Sequence, residues 1–343
     1  MISSSIRVGV IGCGYWGPNL IRNFVENEHS QLSWMCDTDA KRLHHLGRRY
    51  PFARTTADYK QLLSDSQLDA VVIATPVATH YAFAKAALEA GKHVLIEKPF
   101  TTNSIEAEEL IELAERQRLT LMVDHTFVYT GAIRKIKEIM RDGELGDLLY
   151  FDSVRINLGI FQSDINVVWD LAPHDLSIMD FLVERKPVAL TATGSCHVEA
   201  NIENIAYLML KFDDSFIAHF HFNWLSPVKI RRTLIAGSRK MIVYDDIEPT
   251  EKVRVYDKGV VASRSSGNGT EEKYQTLVSY RTGDVWVPKL DTTEALRYVS
   301  VEFLEAIREA RAPLTDGHAG LSVVRMLEAA QSSIEGGGKT VKL

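Results

Sequence analysis

The sequence predicts two domains of different class: an N-terminal α/β domain with a doubly wound parallel sheet, and a C-terminal α+β domain with a mostly antiparallel sheet. The chain has 343 residues, and at roughly 150 residues per domain this length suggests about two domains. In residues 1–125, β-branched runs alternate with helix-like stretches, which is typical of parallel βαβ units. In residues 126–343, most strand-like runs follow one another across short turns, which indicates antiparallel hairpins. We therefore place the boundary near residue 125.

The elements of the first domain follow from apolar periodicity and from residues that stop helices. Buried β-branched runs predict strands at Ile6–Ile11, Gln31–Cys36, Asp69–Ala74, His93–Ile96 and Leu119–Asp124. Apolar positions at helical spacing predict a helix behind Pro18, followed by helices at Ala40–Tyr50, Ala57–Ser64, Val77–Ala90 and Asn103–Arg118. Pro51 and Gly91 end two of these helices, and Asn103 or Ser104 caps the last one.

The second domain is predicted to be rich in strands. Its strand-like runs are Leu148–Asn157, Val188–His197, Ile205–Phe212, Phe216–Trp224, Lys229–Ala236 and Lys240–Asp245. Helices are predicted at Gly131–Arg141, Pro173–Val183, Thr293–Ala310 and Gly317–Glu335. The sequence leaves open whether the two C-terminal helices pack on the first domain. Residues 263–271 have the Ser- and Gly-rich composition of a surface loop.

Composition excludes several classes of protein. Hydrophobic residues make up 45% and charged residues 24% of the chain, with a net charge of -6, so we expect neither a disordered protein nor a nucleic-acid binder. Three cysteines without a CxxC pair predict no disulfide framework and no zinc site. No run approaches the roughly 20 apolar residues of a membrane span, and the apolar run near the N-terminus is too short for a signal peptide. We expect a cytoplasmic protein that does not bind membranes.

A glycine-rich turn after the first strand predicts a dinucleotide site. Gly12, Gly14 and Gly17 have G-x-G-x-x-G spacing between a strand and a helix. In this motif the first glycine permits the tight turn, the second lets a pyrophosphate approach the backbone, and the third lets the helix pack on the strand. The helix N-terminus then offers N–H groups to the phosphates.

Asp37 lies 20 residues after Gly17, at the end of the second strand. An acidic residue there is expected to bind the ribose hydroxyls and to repel a 2′-phosphate, so NAD is the predicted cofactor. The nearby Lys41 and Arg42 keep NADP open as an alternative, although both also suit a solvated helix face.

Two further clusters carry candidate chemistry. Lys98 follows an apolar strand and precedes Pro99, at the sheet edge where such folds bind ligands. Asp170 and His174 are four residues apart, so they share one face if their segment is helical. A carboxylate beside an imidazole suits proton transfer, whereas a helix-capping aspartate with a core histidine is the structural alternative. No third ligand has recognisable spacing, so we predict no metal site.

These motifs together resemble the Gfo/Idh/MocA oxidoreductases, named after glucose–fructose oxidoreductase and inositol dehydrogenase, and the resemblance runs nearly end to end. It rests on the glycine motif, Ala74-Thr75-Pro76, Glu97-Lys98-Pro99 and the pair Asp170 and His174. It implies a Rossmann domain followed by an open, mostly antiparallel sheet domain. It also implies hydride transfer between NAD(P) and a hydroxyl carbon of a sugar, polyol or sugar derivative.

The resemblance also implies residue roles. Lys98 would hydrogen-bond the reacting hydroxyl, His174 would be the general acid/base, and Asp170 would orient that pair. Cofactor contacts are expected from Gly12, Gly14, Tyr15, Trp16, Gly17, Asp37, Thr75, Pro76, His80, Glu97 and Lys98. Substrate contacts are expected from Lys98, His125, Arg155, Asn157, Trp169 and His174. Equally open alternatives are that His125 is a satisfied structural histidine and that Arg155 and Asn157 are exposed strand residues.

The local sequences at 14–20, 155–159 and 169–175 resemble those of the sugar-nucleotide dehydrogenase branch. This implies oxidation of a ring hydroxyl, at C3, of a UDP-linked N-acetyl-hexosamine or its uronate in polysaccharide or amino-sugar biosynthesis. An NADP-dependent keto-sugar reductase, an inositol or polyol dehydrogenase and a non-catalytic nucleotide-sensing regulator are the alternatives. Family members are often oligomers, so a homodimer or homotetramer is expected.

Overall fold

The computed structural model describes residues 5–159, 165–199, 201–257, 259–263 and 277–343. The chain divides into two compact units: one contains Met1–Thr130, Ala172–Phe181 and Thr292–Glu328, and the other contains Gly131–Leu171, Leu182–Asp291 and Ala329–Leu343. A single boundary at residue 125 describes neither unit completely, and the assignment of functions to two domains stays a prediction. The predicted surface loop at 263–271 lies, apart from Ser263, outside the described residues.

The first unit contains the predicted doubly wound parallel sheet. Its strands are β1 (Ile6–Ile11), β2 (Ser30–Cys36), β3 (Arg54–Thr56), β4 (Ala70–Ile73), β5 (His93–Glu97) and β6 (Leu121–Asp124). Their order is β3-β2-β1-β4-β5-β6, and all adjacent pairs are parallel. The order reverses between β1 and β4, so the crevice at their carboxyl ends is the expected ligand position. The sequence pattern does not indicate β3, because its three residues are mostly exposed and polar.

Helices connect these strands, and side chains cap some of their N-termini. They are α1 (Gly17–Val25), α2 (Ala40–Arg49), α3 (Tyr59–Leu63), α4 (His80–Glu89) and α5 (Ser104–Gln117). The side chain of Asp39 accepts hydrogen bonds from two backbone N–H groups at the start of α2. Asn103 is the cap of α5, as one of the two sequence alternatives predicted. No side chain caps α1.

The core of the first unit extends to a helix from late in the sequence. Helix α8 (Ala295–Glu309) packs on α1, where the buried rings of Phe24 and Phe303 meet edge to face with centroids 6.2 Å apart. Val299, Phe303 and Leu304 join the apolar cluster beneath β1 and β2. This packing buries the inner face of α1 and so fixes the helix that follows the glycine-rich turn.

The second unit contains a larger sheet, which is mostly antiparallel as predicted. Its strands are β7 (Leu148–Leu158), β8 (Ala189–Ser195), β9 (Ile205–Lys211), β10 (Ile217–Asn223), β11 (Leu225–Gly237), β12 (Met241–Asp245), β13 (Val253–Tyr256), β16 (Val285–Trp286) and β17 (Val341–Lys342), whereas β14 (Gly259–Ser263) and β15 (Leu277–Arg281) form a separate pair. The order is β16-β13-β12-β11-β7-β10-β9-β8-β17. One pair departs from the antiparallel prediction: β7 lies between β10 and β11, and it pairs with β10 in parallel.

Three further helices are α6 (Gly131–Arg141), α7 (Val167–Val183) and α9 (Gly317–Glu335). Helix α7 begins six residues before its predicted start at Pro173, because the side chain of Asn166 accepts hydrogen bonds from the backbone N–H groups of Val168 and Trp169. Pro173 therefore lies inside the helix, where it has no N–H to donate to the preceding turn. None of the helices within the described ranges is both long and apolar enough to cross a membrane.

Candidate active site

The three glycines of the glycine-rich turn differ in whether the fold itself requires them. Gly12 has a φ of +97°, and a Cβ added to it would lie 2.4 Å from the carbonyl oxygen of Ala74. A Cβ at Gly17 would lie 2.1 Å from the carbonyl oxygen of Gly12. At Gly14, by contrast, the nearest atom is Nη1 of Arg42 at 3.5 Å, an ordinary contact. The protein itself therefore requires the first and third glycines but not the second.

The start of α1 has the features of a phosphate site. No side chain caps this helix, and Pro18 lies in its first turn, where a missing N–H costs nothing. Tyr15 is 83% exposed and Trp16 is 44% exposed, and their rings meet edge to face with centroids 5.2 Å apart. An uncapped helix N-terminus beside a glycine without steric need fits a dinucleotide pyrophosphate.

Asp37 braces the glycine-rich turn. Its Oδ2 accepts a 2.7 Å hydrogen bond from the backbone N–H of Cys13, and its Oδ1 accepts one of 2.8 Å from the N–H of Asp39. Nη1 of the half-exposed Arg42 lies 3.7 Å from the same Oδ2. The predicted ribose-binding carboxylate thus also has a structural role that the sequence pattern does not reveal, and it has a cation beside it.

His80 links the loops that follow β4 and β5. Its ring is buried, with Nδ1 at 2.8 Å from the carbonyl oxygen of Pro99 and Nε2 at 2.8 Å from that of Thr75. Burial lowers the pKa of His80 although both carbonyls favour its protonated form. Since both nitrogens face backbone oxygens, the ring positions the loops carrying Thr75, Pro76 and Lys98 rather than presenting a nitrogen to solvent.

The carboxyl ends of β5 and β6 bring ionisable groups together. Glu97 and Asp124 are in register on these adjacent strands, and both are buried. The backbone N–H of Lys98 donates to Oε2 of Glu97 over 3.2 Å, and the hydroxyl of Thr126 donates to Oδ1 of Asp124 over 2.6 Å. Burial and the neighbouring Asp124 raise the pKa of Glu97 well above its usual range. Burial raises the pKa of Asp124 to about 6, while Thr126 and Lys98 act in the opposite direction.

His125 follows directly and is also buried. Neither of its ring nitrogens has a hydrogen-bond partner among the described residues. Burial, and then the charge of Lys98, lowers the pKa of His125 to about 3, so the ring is neutral. The alternative of a satisfied structural histidine therefore has no hydrogen bond among the described residues to support it.

His174 and Asp170 are both on α7, four residues apart, as the helical prediction required. In the first unit, the ring of His174 meets that of Phe127 edge to face at 4.8 Å. In the second unit, Oδ2 of Asp170 accepts a 3.1 Å hydrogen bond from Nε1 of the fully buried Trp224. Asp170 is not a helix cap, since Asn166 caps α7, so the alternative of a capping aspartate is wrong.

The predicted substrate contacts Arg155, Asn157 and Trp169 all belong to the second unit. Arg155 and Asn157 alternate with Val154 and Ile156 along β7, so they share one face of this strand. Arg155 is buried. Burial would raise the pKa of Asp246, but the charges of Lys252 and then Arg155 lower it. Asn157 and Trp169 are half-buried. Arg155 is therefore not the exposed strand residue of the structural alternative.

Sequence reasoning missed Asp124 and Trp224. The carboxyl-end rule that singled out Lys98 also applies to Asp124, whereas nothing local marks Trp224 as the partner of Asp170. Across the part of the chain that the structure describes, no group of three or more His, Cys, Asp or Glu side chains could hold a metal ion.

Two family models match consecutive parts of the chain. Residues 6–125 match the family model of an oxidoreductase family with an NAD-binding Rossmann fold. Residues 133–243 match that of the GFO/IDH/MocA C-terminal domain. The chain belongs to the Gfo/Idh/MocA oxidoreductase family. This Gfo/Idh/MocA protein is thus an oxidoreductase with an NAD-binding domain, and the predicted family, fold class and cofactor type are confirmed.

Two relatives cover almost the whole of this Gfo/Idh/MocA chain. UDP-N-acetylglucosamine 3-dehydrogenase of Acidithiobacillus ferrooxidans is 29% identical over 330 residues, which are 93% of this chain and 94% of that protein. A solved structure of that enzyme has a TM-score of 0.82 at 27% identity and covers 98% of this chain and 99% of its own. scyllo-Inositol 2-dehydrogenase (NADP(+)) of Bacillus subtilis is 25% identical over an alignment 351 positions long, which covers 96% of this chain and 94% of that one. The relatives include a nucleotide-sugar dehydrogenase and a polyol dehydrogenase.

Proposed function

We propose that this protein is an NAD-dependent dehydrogenase that oxidises a ring hydroxyl, at C3, of a UDP-linked N-acetyl-hexosamine or its uronate. The observation that carries the proposal is the near full-length similarity to UDP-N-acetylglucosamine 3-dehydrogenase in a chain that has Lys98, Asp170 and His174. A non-catalytic regulator of this fold has no need of such a lysine and histidine.

The cofactor would be held by groups that the fold already positions. The amides at the start of α1 and the open backbone at Gly14 would take the pyrophosphate, and Asp37 would take the ribose hydroxyls. The aromatic rings of Tyr15 and Trp16 would cover the dinucleotide from solvent. When bound, NAD supplies the acceptor for the hydride that leaves the sugar carbon.

Side chains of the protein would remove the hydroxyl proton and stabilise the negative charge that develops on the hydroxyl oxygen. The ammonium of Lys98 would hydrogen-bond the reacting hydroxyl and stabilise the alkoxide character that develops on its oxygen. The imidazole of His174 would remove the hydroxyl proton. Asp170, held by the indole N–H of Trp224, would orient this exchange. Sugar or phosphate contacts would come from His125, Arg155, Asn157 and Trp169.

A panel assay tests this function. Purified protein is incubated with NAD and separate UDP-sugars, uronates and polyols, and NADH is followed by its absorbance. We expect turnover with a UDP-N-acetyl-hexosamine or its uronate, and a loss of kcat by about 10²- to 10⁴-fold in Lys98→Ala and His174→Ala. Matched controls are Lys60→Ala and His318→Ala, since both of these side chains are exposed. Unchanged turnover in the two site variants contradicts the assigned chemistry.

One observation favours a second candidate, an NADP-dependent keto-sugar reductase or polyol dehydrogenase. Arg42 lies beside Asp37, and a guanidinium there can pair with a 2′-phosphate. Titration of NADH and NADPH into wild type and Arg42→Ala separates the cases. We expect tighter NADH binding, with little change in the variant; tight NADPH binding that Arg42→Ala abolishes favours the second candidate.

We also infer a homodimer or homotetramer that works in the cytoplasm. Tyr207 and Ile217 are large apolar side chains exposed on the adjacent strands β9 and β10, which suits self-association. Cys13, Cys36 and Cys196 are unpaired, which suits a reducing compartment. Light scattering measures the assembly; a monomer at all concentrations contradicts the first inference.

A further inference from the structure

Two residues with carboxyl groups are paired on adjacent strands at the edge of the first sheet, where the sequence pattern assigned a role to only one of them. Glu97 ends β5 and Asp124 ends β6, and the parallel register places them directly opposite each other. Side chains of paired residues in parallel strands point to the same side of the sheet. Glu97 is 8% exposed and Asp124 is 1% exposed, so water screens neither charge effectively.

Two ionised carboxylates in such a position repel each other and also lose their hydration. The surroundings can offset one negative charge. Lys98 provides the neighbouring cation, and the hydroxyl of Thr126 donates to Oδ1 of Asp124. The backbone N–H of Lys98 donates to Glu97.

The other groups around the pair do not supply a second positive charge. His125 is neutral, since burial and Lys98 lower its pKa to about 3. Tyr129, on the short 3-10 helix Thr126–Tyr129, has its hydroxyl paired with Thr315, and the nearby Glu302 and Asp124 carry negative charge. Oδ2 of Asp124 has no hydrogen-bond partner among the described residues, which leaves one carboxylate oxygen open to a shared proton.

We propose that Glu97 and Asp124 share one proton and act as a positioning pair that presents a single negative charge to Lys98. This inference rests on the proposed function only for what Lys98 does to the substrate. In neutral solution the proton resides mainly on Glu97, and Asp124 is ionised. When the pH falls below about 6, Asp124 also becomes protonated. The pair is then neutral, and it no longer offsets the positive charge of Lys98.

Infrared titrations of two samples, one with 13C-labelled glutamate and one with 13C-labelled aspartate carboxyl groups, follow the two members of the pair separately. In the wild type we expect a glutamic acid band at neutral pH that is absent from Glu97→Gln. We also expect an aspartic acid band that disappears with a midpoint near pH 6 and is absent from Asp124→Asn. Thr126→Val keeps the shape of the side chain but removes the hydroxyl that stabilises ionised Asp124, so the midpoint should move to higher pH. Thr130→Val is the matched control, because its hydroxyl donates to the carbonyl of Phe127 and not to the pair.

The pH dependence of kcat supplies the second readout. We expect an acidic limb near pH 6 in the wild type, the same upward shift of that limb in Thr126→Val, and its loss in Asp124→Asn. A wild-type protein without a glutamic acid band from Glu97 at neutral pH, or an unmoved aspartate midpoint in Thr126→Val, overturns the shared proton. If the band titrates as expected while no sugar is oxidised, the proposed function fails and the pair stands. Thr126→Val keeps the test decisive even if Asp124→Asn does not fold.

Discussion

A substitution at Gly14 tests whether this glycine of the turn serves cofactor binding and not folding. A Cβ at this position would lie 3.5 Å from its nearest neighbour, Nη1 of Arg42, and the residue does not have a positive φ. Gly14→Ala should therefore leave the fold intact. Because alanine restricts the unfolded chain more than glycine does, the free energy of unfolding should stay the same or rise by about 0.4–1 kcal/mol.

The same methyl group would stand where the pyrophosphate must approach the backbone. Loss of one hydrogen bond to a charged group costs about 1.5–3 kcal/mol, which corresponds to roughly 10- to 150-fold in Kd. We expect Gly14→Ala to weaken NADH binding by this factor, as measured by fluorescence titration. Urea unfolding on the same samples reports the stability.

Gly17→Ala is the matched control, since its Cβ would lie 2.1 Å from the backbone oxygen of Gly12. That contact forces the turn or α1 to move, and we expect a loss of about 1–3 kcal/mol in the free energy of unfolding. A folded Gly14→Ala protein that binds NADH as tightly as the wild type would refute the reasoning. So would a Gly14→Ala protein that loses as much stability as Gly17→Ala.

Two further variants test the packing and the support of the site. Phe303→Ala removes a buried ring that packs on Phe24, so it should lower the free energy of unfolding by about 3–5 kcal/mol in urea titrations; a loss below 1 kcal/mol contradicts the packing of α8 on α1. Trp224→Phe keeps an aromatic ring but removes the N–H that donates to Asp170. We expect about 1–3 kcal/mol of lost stability and a changed pH profile of kcat, whereas Trp16→Phe should leave the pH profile as it is.

Local sequence signals were sufficient for much of the first domain. A β-branched run followed by three spaced glycines fixes a strand, a turn and a helix within 25 residues, because each signal acts on neighbours along the chain. The carboxyl-end rule placed Lys98 at the sheet edge for the same reason. The three-residue strand β3 escaped prediction because its exposed residues Arg54 and Thr55 have no apolar pattern.

Other features were decided by residues far apart in the sequence. The start of α7 depends on an Asn166 cap, which is a weaker sequence signal for a helix start than Pro173 seven residues later. The position of β7 between β10 and β11 depends on pairing with strands that are far from it in the sequence, so no short turn sets the register. A pattern of alternating residues identifies a strand but does not choose its neighbour.

Local patterns along the chain were enough to establish the family, the doubly wound sheet and the positions of Lys98, Asp170 and His174. The packed fold was needed to show that Asp124 is paired with Glu97, that His80 bridges two loops and that Trp224 donates to Asp170. The physical reason is the range of the interactions. Turns, caps and periodicity act over a few residues, whereas the ionisation of a buried carboxyl depends on whichever charges the packed fold brings within a few ångströms.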